Sequence, residues 1–453
     1  MMKKLLGTIF AVAALLPFIN PSAQAAVNLD RLLDSLASDQ PGRSGGPDTL
    51  AALRLEAGNP RSARAMLHEV FSRGKSAGYK CSLIDALGAS RDEGVIRTLA
   101  MALEDADEGV RVCAARSLGE QKNPFAVDML VKNVEVYLAG GGRGHYEADI
   151  KRRLAAINAI WSLGEIGEPA VMNKLRDFYA ESDDVIKINI LISIGKLKKN
   201  AAAAPYLRAI AASTSESETV RAAAFEMLGE LKEEPRTSLV VRSRAVGIEK
   251  GDMIYTGGIV GTISGWFMPD MPVGHAGVFT GTAVENGRIK ILITDCVPNN
   301  FKPGGVRNIE SWKNFTHHFM YPYYGNRTTS PRPTAEQRVK IVARGLELGK
   351  KGLKYTNTHI PQKGPEVFDC VGYVEYLYEQ AGLNPTPDKL ETDWGWPLTP
   401  SEQFDATVAN THTPLIIVAP QAIYIPTPEE IAATSVALPL DFVLVVPDKL
   451  PLN

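Results

Sequence analysis

Apolar residues follow two different rhythms along this chain, and the change comes near Ile248. From residue 27 to 235 they recur at helical spacing, in pieces that resemble one another. The pieces are Ala86-Leu87-Gly88, Ser117-Leu118-Gly119, Ser162-Leu163-Gly164, Ser193-Ile194-Gly195 and Met227-Leu228-Gly229. Their glycines lie 31, 45, 31 and 34 residues apart. The long interval is the short one plus about 14 residues, which matches a glycine-rich insertion, Ala139-Gly140-Gly141-Gly142-Arg143-Gly144-His145. Beyond Ile248 the apolar residues alternate. Gly251 to Tyr255, Gly274 to Gly281 and Ile289 to Cys296 read as strands, the last two joined through the turn residues Glu285-Asn286-Gly287. A helix is expected from Thr334 to Gly349. Another is expected at Cys370, where Val371, Val374, Leu377, Tyr378 and Ala381 keep helical spacing behind the N-cap residue Asp369.

Periods of this length predict stacked helical hairpins. Some units also carry an acidic turn followed by Val-Arg and small residues, as in Asp107 to Ala115 and Glu218 to Ala224. The pattern resembles HEAT repeats over five units, a solenoid whose concave surface would serve as a binding scaffold. No catalytic constellation lies within it. His145-Tyr146-Glu147 does not have metal-ligand spacing and reads as solvated loop.

The expected fold is therefore multidomain. An all-α HEAT-like solenoid (27–235) is followed by a linker (236–247) and an α+β domain with a small antiparallel sheet (248–410). A strand-rich extension (411–453) includes Leu415 to Val418 and Phe442 to Val446. Residues 1–25 read as a secretory signal peptide: Lys3 and Lys4, an apolar run from Leu5 to Phe18, and a cut after Ala25. That leader implies a protein exported across the inner membrane of a bacterium to the periplasm. No later segment is long and apolar enough to be an integral membrane span. The formal net charge is −2, or −4 (−2 − 2) once Lys3 and Lys4 are gone, which offers no case for nucleic acid.

Four cysteines, Cys81, Cys113, Cys296 and Cys370, are too few for a disulfide scaffold in 453 residues. Cys81 and Cys113 fall on apolar helix faces and read as core, with pairing between them left open. Cys370 is different. In a first helical turn it faces unpaired N–H groups and the positive end of the dipole, which favours a thiolate; the bland alternative is a buried, inert thiol. A thiol hydrolase also needs an imidazole and a polar group to orient it. His275 sits in a strand between Gly274 and Ala276. Asp295 shares a strand face with Ile289, Ile291 and Ile293, and would reach His275 if the two strands pair. Cys296 is a rival nucleophile, but it points to the opposite face and lacks a helix start. His317, His318 and His359 make no metal pattern with the cysteines, so neither a metal nor a cofactor is expected.

Phe368-Asp369-Cys370-Val371-Gly372-Tyr373-Val374 resembles the nucleophile helix of NlpC-type papain-like cysteine peptidases, with Val371 where the family usually has Ser. Gly274-His275-Ala276-Gly277-Val278-Phe279-Thr280-Gly281 resembles their histidine strand. The order, His before Cys, is that of the circularly permuted branch, which includes lecithin retinol acyltransferase-like proteins. Gly305-Val306-Arg307 fits the permuted bacterial type. The resemblance covers residues 248–405. It implies Cys370 as nucleophile, His275 as base, Asp295 or its neighbour Thr294 as the third polar residue, and Tyr355 in the oxyanion site. The activity it implies is cleavage of amides in cell-wall peptides. A lipid esterase or acyltransferase is the alternative, with the apolar loop Trp266, Pro269, Met271 and Pro272 as a cover. A third reading is an envelope scaffold, with a papain-like binding module and an envelope protein held by the repeats.

Overall fold

The computed structural model describes residues 21–38, 47–140, 150–213, 215–232, 247–257, 273–299, 301–356, 362–387 and 398–410. Most of the expected leader, the linker, the apolar loop around Trp266, His145 and His359, and the extension 411–453 lie outside the described residues. The last residues of the leader open α1 (Pro21–Ser38).

The first half is a stack of HEAT-like helical hairpins. After α1 and α2 (Pro47–Glu56) come α3 (Pro60–Val70), α4 (Ala77–Leu87), α5 (Glu93–Ala100), α6 (Glu108–Gln121), α7 (Val127–Ala139), α8 (Ile150–Ile166), α9 (Val171–Ala180), α10 (Asp184–Lys196), α11 (Ala203–Ala212) and α12 (Glu218–Glu230). The even-numbered members from α4 onward pack on one another in sequence and form one wall. At the first acidic turn Asp107 caps α6, accepting from the N–H groups of Gly109 and Val110, while at the second the cap of α12 is Ser217, accepting from Val220; Asp183 caps α10 in the same way, from Val185 and Ile186.

The repeated Ser-Leu-Gly piece is a packing device. Ser117 donates to the carbonyl of Ile84 at 2.6 Å, Ser162 to Ala115 at 2.7 Å and Ser193 to Ile160 at 2.8 Å, each reaching one repeat back. The glycine leaves room for the serine of the next repeat: a Cβ at Gly164 would lie 2.7 Å from the Cα of Ser193. Cys81 and Cys113 form a disulfide between α4 and α6, with Cα atoms 5.5 Å apart. This corrects the reading of both as plain core. The two cysteines hold matching positions one repeat apart, and the stack brings such positions face to face.

The second half is built on six antiparallel strands: β1 (Met253–Gly257), β2 (Val273–Glu285), β3 (Arg288–Val297), β4 (Gly305–Ile309), β5 (Tyr323–Thr328) and, last in the chain, β8 (Val408–Ala409). Their order is β4-β3-β2-β1-β5-β8. The three expected strands are the centre of this sheet, and β4, β5 and β8 extend it. A short helix, α13 (Trp312–Phe315), precedes β5. Then come α14 (Ala335–Lys351), a parallel two-stranded pair, β6 (Lys354–Tyr355) with β7 (Val367–Phe368), then α15 (Cys370–Glu379) and α16 (Pro400–Ala406). The start of α14 is fixed by a capping box between Thr334 and Gln337.

Both faces of the sheet are covered. α14 and α15 pack on one, and α8, α10 and α12 of the stack, with α13, pack on the other. Asn189 bonds both backbone groups of Tyr323, at 2.7 and 3.0 Å. Glu226 accepts from the N–H groups of Trp312 and Lys313 at 2.7 and 2.8 Å, and the indole of Trp312 donates to Thr219. Part of the surface expected to serve as a free scaffold is thus occupied by the chain's own second half.

Candidate functional site

Three features bring Cys370 to the sheet. Asp369 caps α15 by accepting from the N–H of Gly372 at 2.7 Å. The Asp369 carboxylate is held in turn by Gln362, at 2.8 Å. Gly372 is needed because the chain at Gln362 crosses directly over it: a Cβ there would strike the Gln362 carbonyl. The thiol is 8% exposed and packs with Val371 and Leu398.

β3 pairs with β2 only from Gly277 onward, so His275 and Ala276 have no ladder partner in β3. There the backbone N–H of Ala276, with those of Val371 and Cys370 itself, favours the charged form of the Cys370 thiol. Burial pushes the thiol up and the Asp369 carboxylate adds to it, while those three N–H groups pull it down. The net direction is upward, contrary to the expectation from helix position alone. Desolvation outweighs the dipole at this depth.

His275 and Asp295 meet as expected. The Nε2 of His275 lies 3.0 Å from Oδ2 of Asp295. The Nδ1 of His275 makes no hydrogen bond among the described residues. Asp295 is also held by Arg307, Nε to Oδ1 at 2.7 Å and Nη2 to Oδ2 at 3.0 Å. Burial alone would push this carboxyl up; the Arg307 guanidinium and the bond to His275 overcome it and hold it well below the usual carboxylate range. Thr294, the competing third residue, points the other way and bonds the hydroxyl of Tyr373 at 2.6 Å. Tyr355 is buried beside Cys370. Its hydroxyl is pushed up by burial and by the neighbouring Cys370 and Asp369. Cys296 is fully buried, donates to the Phe368 carbonyl at 3.5 Å and is pushed up by burial. That is the environment of an inert thiol.

Two site neighbours were not assigned roles by sequence. Arg307 stands opposite Asp295 in the β3–β4 ladder, a pairing that only strand register reveals. His317 packs its ring 5.1 Å from that of His275. Its pKa is pushed down to about 3 by burial and then by His275, so the ring is neutral. Among the described residues no cluster of His, Cys, Asp and Glu is arranged to hold a metal ion. Also among them, no helix is long and apolar enough to cross a membrane. A separate cleft of about 510 Å³ opens on the stack, lined by Arg111, Met129, Lys132, Tyr137 and Arg152 among others, away from Cys370.

Fold and site together define a HEAT-like helical stack docked on an antiparallel sheet, with a buried thiol at the start of α15 and a His–Asp–Arg chain on the sheet. No family model matches the chain, and no curated protein does. Solved structures that it resembles include the complex of CpcE and CpcF of phycocyanin lyase from Nostoc sp. PCC7120. That likeness has 18% identity, 45% of this chain, 76% of the other and a TM-score of 0.29. Human deoxyhypusine hydroxylase in complex with glycerol is another, at 19% identity, 48% of this chain, 88% of the other and a TM-score of 0.22. Likenesses this distant do not bear on what the chain does.

Proposed function

We propose that residues 248–410 are a permuted papain-like cysteine hydrolase domain of the NlpC type, exported to the periplasm, that cleaves amide bonds in cell-wall peptides. The observation that carries this reading is the 3.0 Å contact between His275 Nε2 and Asp295, on the strand whose next residue, Ala276, has a backbone N–H that favours the Cys370 thiolate. Export is supported by the leader and by the Cys81–Cys113 disulfide, a bond that persists in oxidising compartments.

The chemistry follows from the atoms. Burial keeps the resting thiol protonated, so its proton leaves as substrate arrives. The Nδ1 of His275, not engaged by Asp295, receives it. Asp295 holds the ring's tautomer and stabilises the imidazolium. The thiolate attacks the carbonyl carbon, and the oxygen gathers charge against the Cys370 N–H and the Tyr355 hydroxyl. Imidazolium then protonates the leaving nitrogen as the C–N bond breaks. Water, deprotonated by His275, cleaves the thioester and restores the thiol.

Incubation with purified peptidoglycan, and separately with acylated lipid, followed by mass spectrometry, tests this. Amide cleavage of peptidoglycan that is lost in Cys370→Ala and His275→Ala supports it. Acyl loss or transfer from lipid would move the protein to the acyl-lipid side of the permuted branch. No change in either, with capture of an envelope protein, would favour a scaffold.

A further inference from the structure

His317, His318 and Phe319 have φ of 50°, 60° and 60°. Left-handed conformation costs a non-glycine residue on the order of 1 kcal/mol or more. A run of three persists only where the surroundings impose it. Here the surroundings are the helical stack. The indole of Trp161, on α8, donates to the Phe319 carbonyl at 3.3 Å. Arg116, on α6, lies over the ring of Tyr321. Glu226 fixes the segment at Trp312 and Lys313, and Asn189 fixes it at Tyr323. Within the segment, the Thr316 hydroxyl accepts from the Phe319 N–H at 3.2 Å.

What this turn delivers is a ring. His317 is 3% exposed, and its Nδ1 has no hydrogen-bond partner among the described residues. It is wedged between Phe301, at 4.6 Å between centroids, and His275, at 5.1 Å. Phe315, from the same segment, lies 5.3 Å from His275. His275 is thus tied at one nitrogen to Asp295 and flanked by two rings that the repeats hold in place. The charged groups around it are Asp295 and Arg307; His317, being neutral, brings no charge to compete with them.

We propose that His317 is a positioning residue for His275, and that the helical repeats hold it there through the left-handed turn His317–Phe319. The inference rests on the hydrolase reading, which gives His275 its role as base. Without the ring, the imidazole can swing away from Asp295, and a displacement of about 1 Å is enough to disable a site.

The test uses the full chain and needs no substrate. Alkylation of Cys370 by iodoacetamide, read by peptide mapping from about pH 5 to about pH 9, reports free thiolate at its alkaline end and, at its acid end, the reaction in which His275 draws the proton from the thiol as the electrophile arrives. His317→Ala is expected to slow alkylation at about pH 6 roughly tenfold while changing the rate at about pH 9 less than about twofold. His317→Phe, which keeps the ring, retains the wild-type profile. Trp161→Phe removes the donor to Phe319 from the repeat side, and should shift the profile as His317→Ala does, by a few fold. A folded His317→Ala protein with the wild-type profile overturns the inference, whatever its melting temperature. If that variant does not fold, Trp161→Phe decides, and an unchanged profile overturns the inference. A wild type without a His275-dependent rate at about pH 6 overturns the hydrolase reading instead, so the two failures are distinct.

Discussion

The two faces of the sheet are covered in opposite ways. On the α14–α15 face the contacts are mainly apolar: Val374, Leu377 and Tyr373 of α15, with Ile341 and Leu348 of α14, are buried against it. On the repeat face the seam is polar, through Glu226, Asn189, Asn158 and Trp161. The thiol comes from the first face. Asp295, Arg307 and His317 come from the second. A site drawn from both sides depends on the dock between the two halves as much as on either half.

The largest expected effect is at the charge pair on the repeat side. Arg307→Ala leaves Asp295 buried and unpaired except for His275, and should cost about 3–5 kcal/mol in chemical denaturation. On the opposite face, Thr294→Val removes a neutral hydroxyl that bonds Tyr373 and the carbonyls of Arg307 and Gly345, and should cost only about 1–2 kcal/mol. Equal losses would erase the contrast between the faces. The sign with pH follows from the depressed Asp295 carboxyl: its contribution is complete above the ordinary carboxylate range and is lost as pH falls toward its folded value.

Within the stack, Cys81→Ser opens a loop with a sequence separation of 32 and should cost about 4 kcal/mol. The repeat glycines divide into two kinds. Gly164→Ala puts a methyl against the Ser193 backbone and should cost about 1–3 kcal/mol. Gly229→Ala meets nothing within 4 Å and should stabilise α12 by about 0.5–1 kcal/mol. Thermal unfolding separates them, and a penalty at both would remove the serine–glycine fit as the reason for the repeat.

The last effect concerns the seam and is read as a slope with pH. Burial pushes Glu226 up to about 8, against the N–H groups of Lys313 and Trp312. Between the ordinary carboxyl range and about pH 8 the folded protein holds a proton the unfolded chain has released, so this group makes stability fall as pH rises. Melting temperature should fall less steeply across that window in Glu226→Gln.

Sequence made the two halves unequally legible. The repeats are local: each glycine and serine meets its partner one period away, so spacing alone revealed them. The α15 helix was legible for the same reason, through Asp369 and the apolar positions behind it. His275 with Asp295 required only that two strands joined by Asn286-Gly287 pair. Arg307 needed the register of a fourth strand, and the His317 turn is set by α6, α8, α10 and α12, far away in the chain. The Cys81–Cys113 bond also needed repeat register, which unequal glycine spacings blur. The neutral thiol was missed because helix position signals the dipole, whereas burial depends on what folds over the cysteine.

The most direct test of the account is the pH dependence of Cys370 alkylation in the wild type against His275→Ala. Wild-type Cys370 is expected to react at about pH 6, with His275 drawing its proton as the electrophile arrives, and His275→Ala to lose this rate while still reacting in alkali. Identical profiles for the two proteins, or label on Cys296 in place of Cys370, would contradict it.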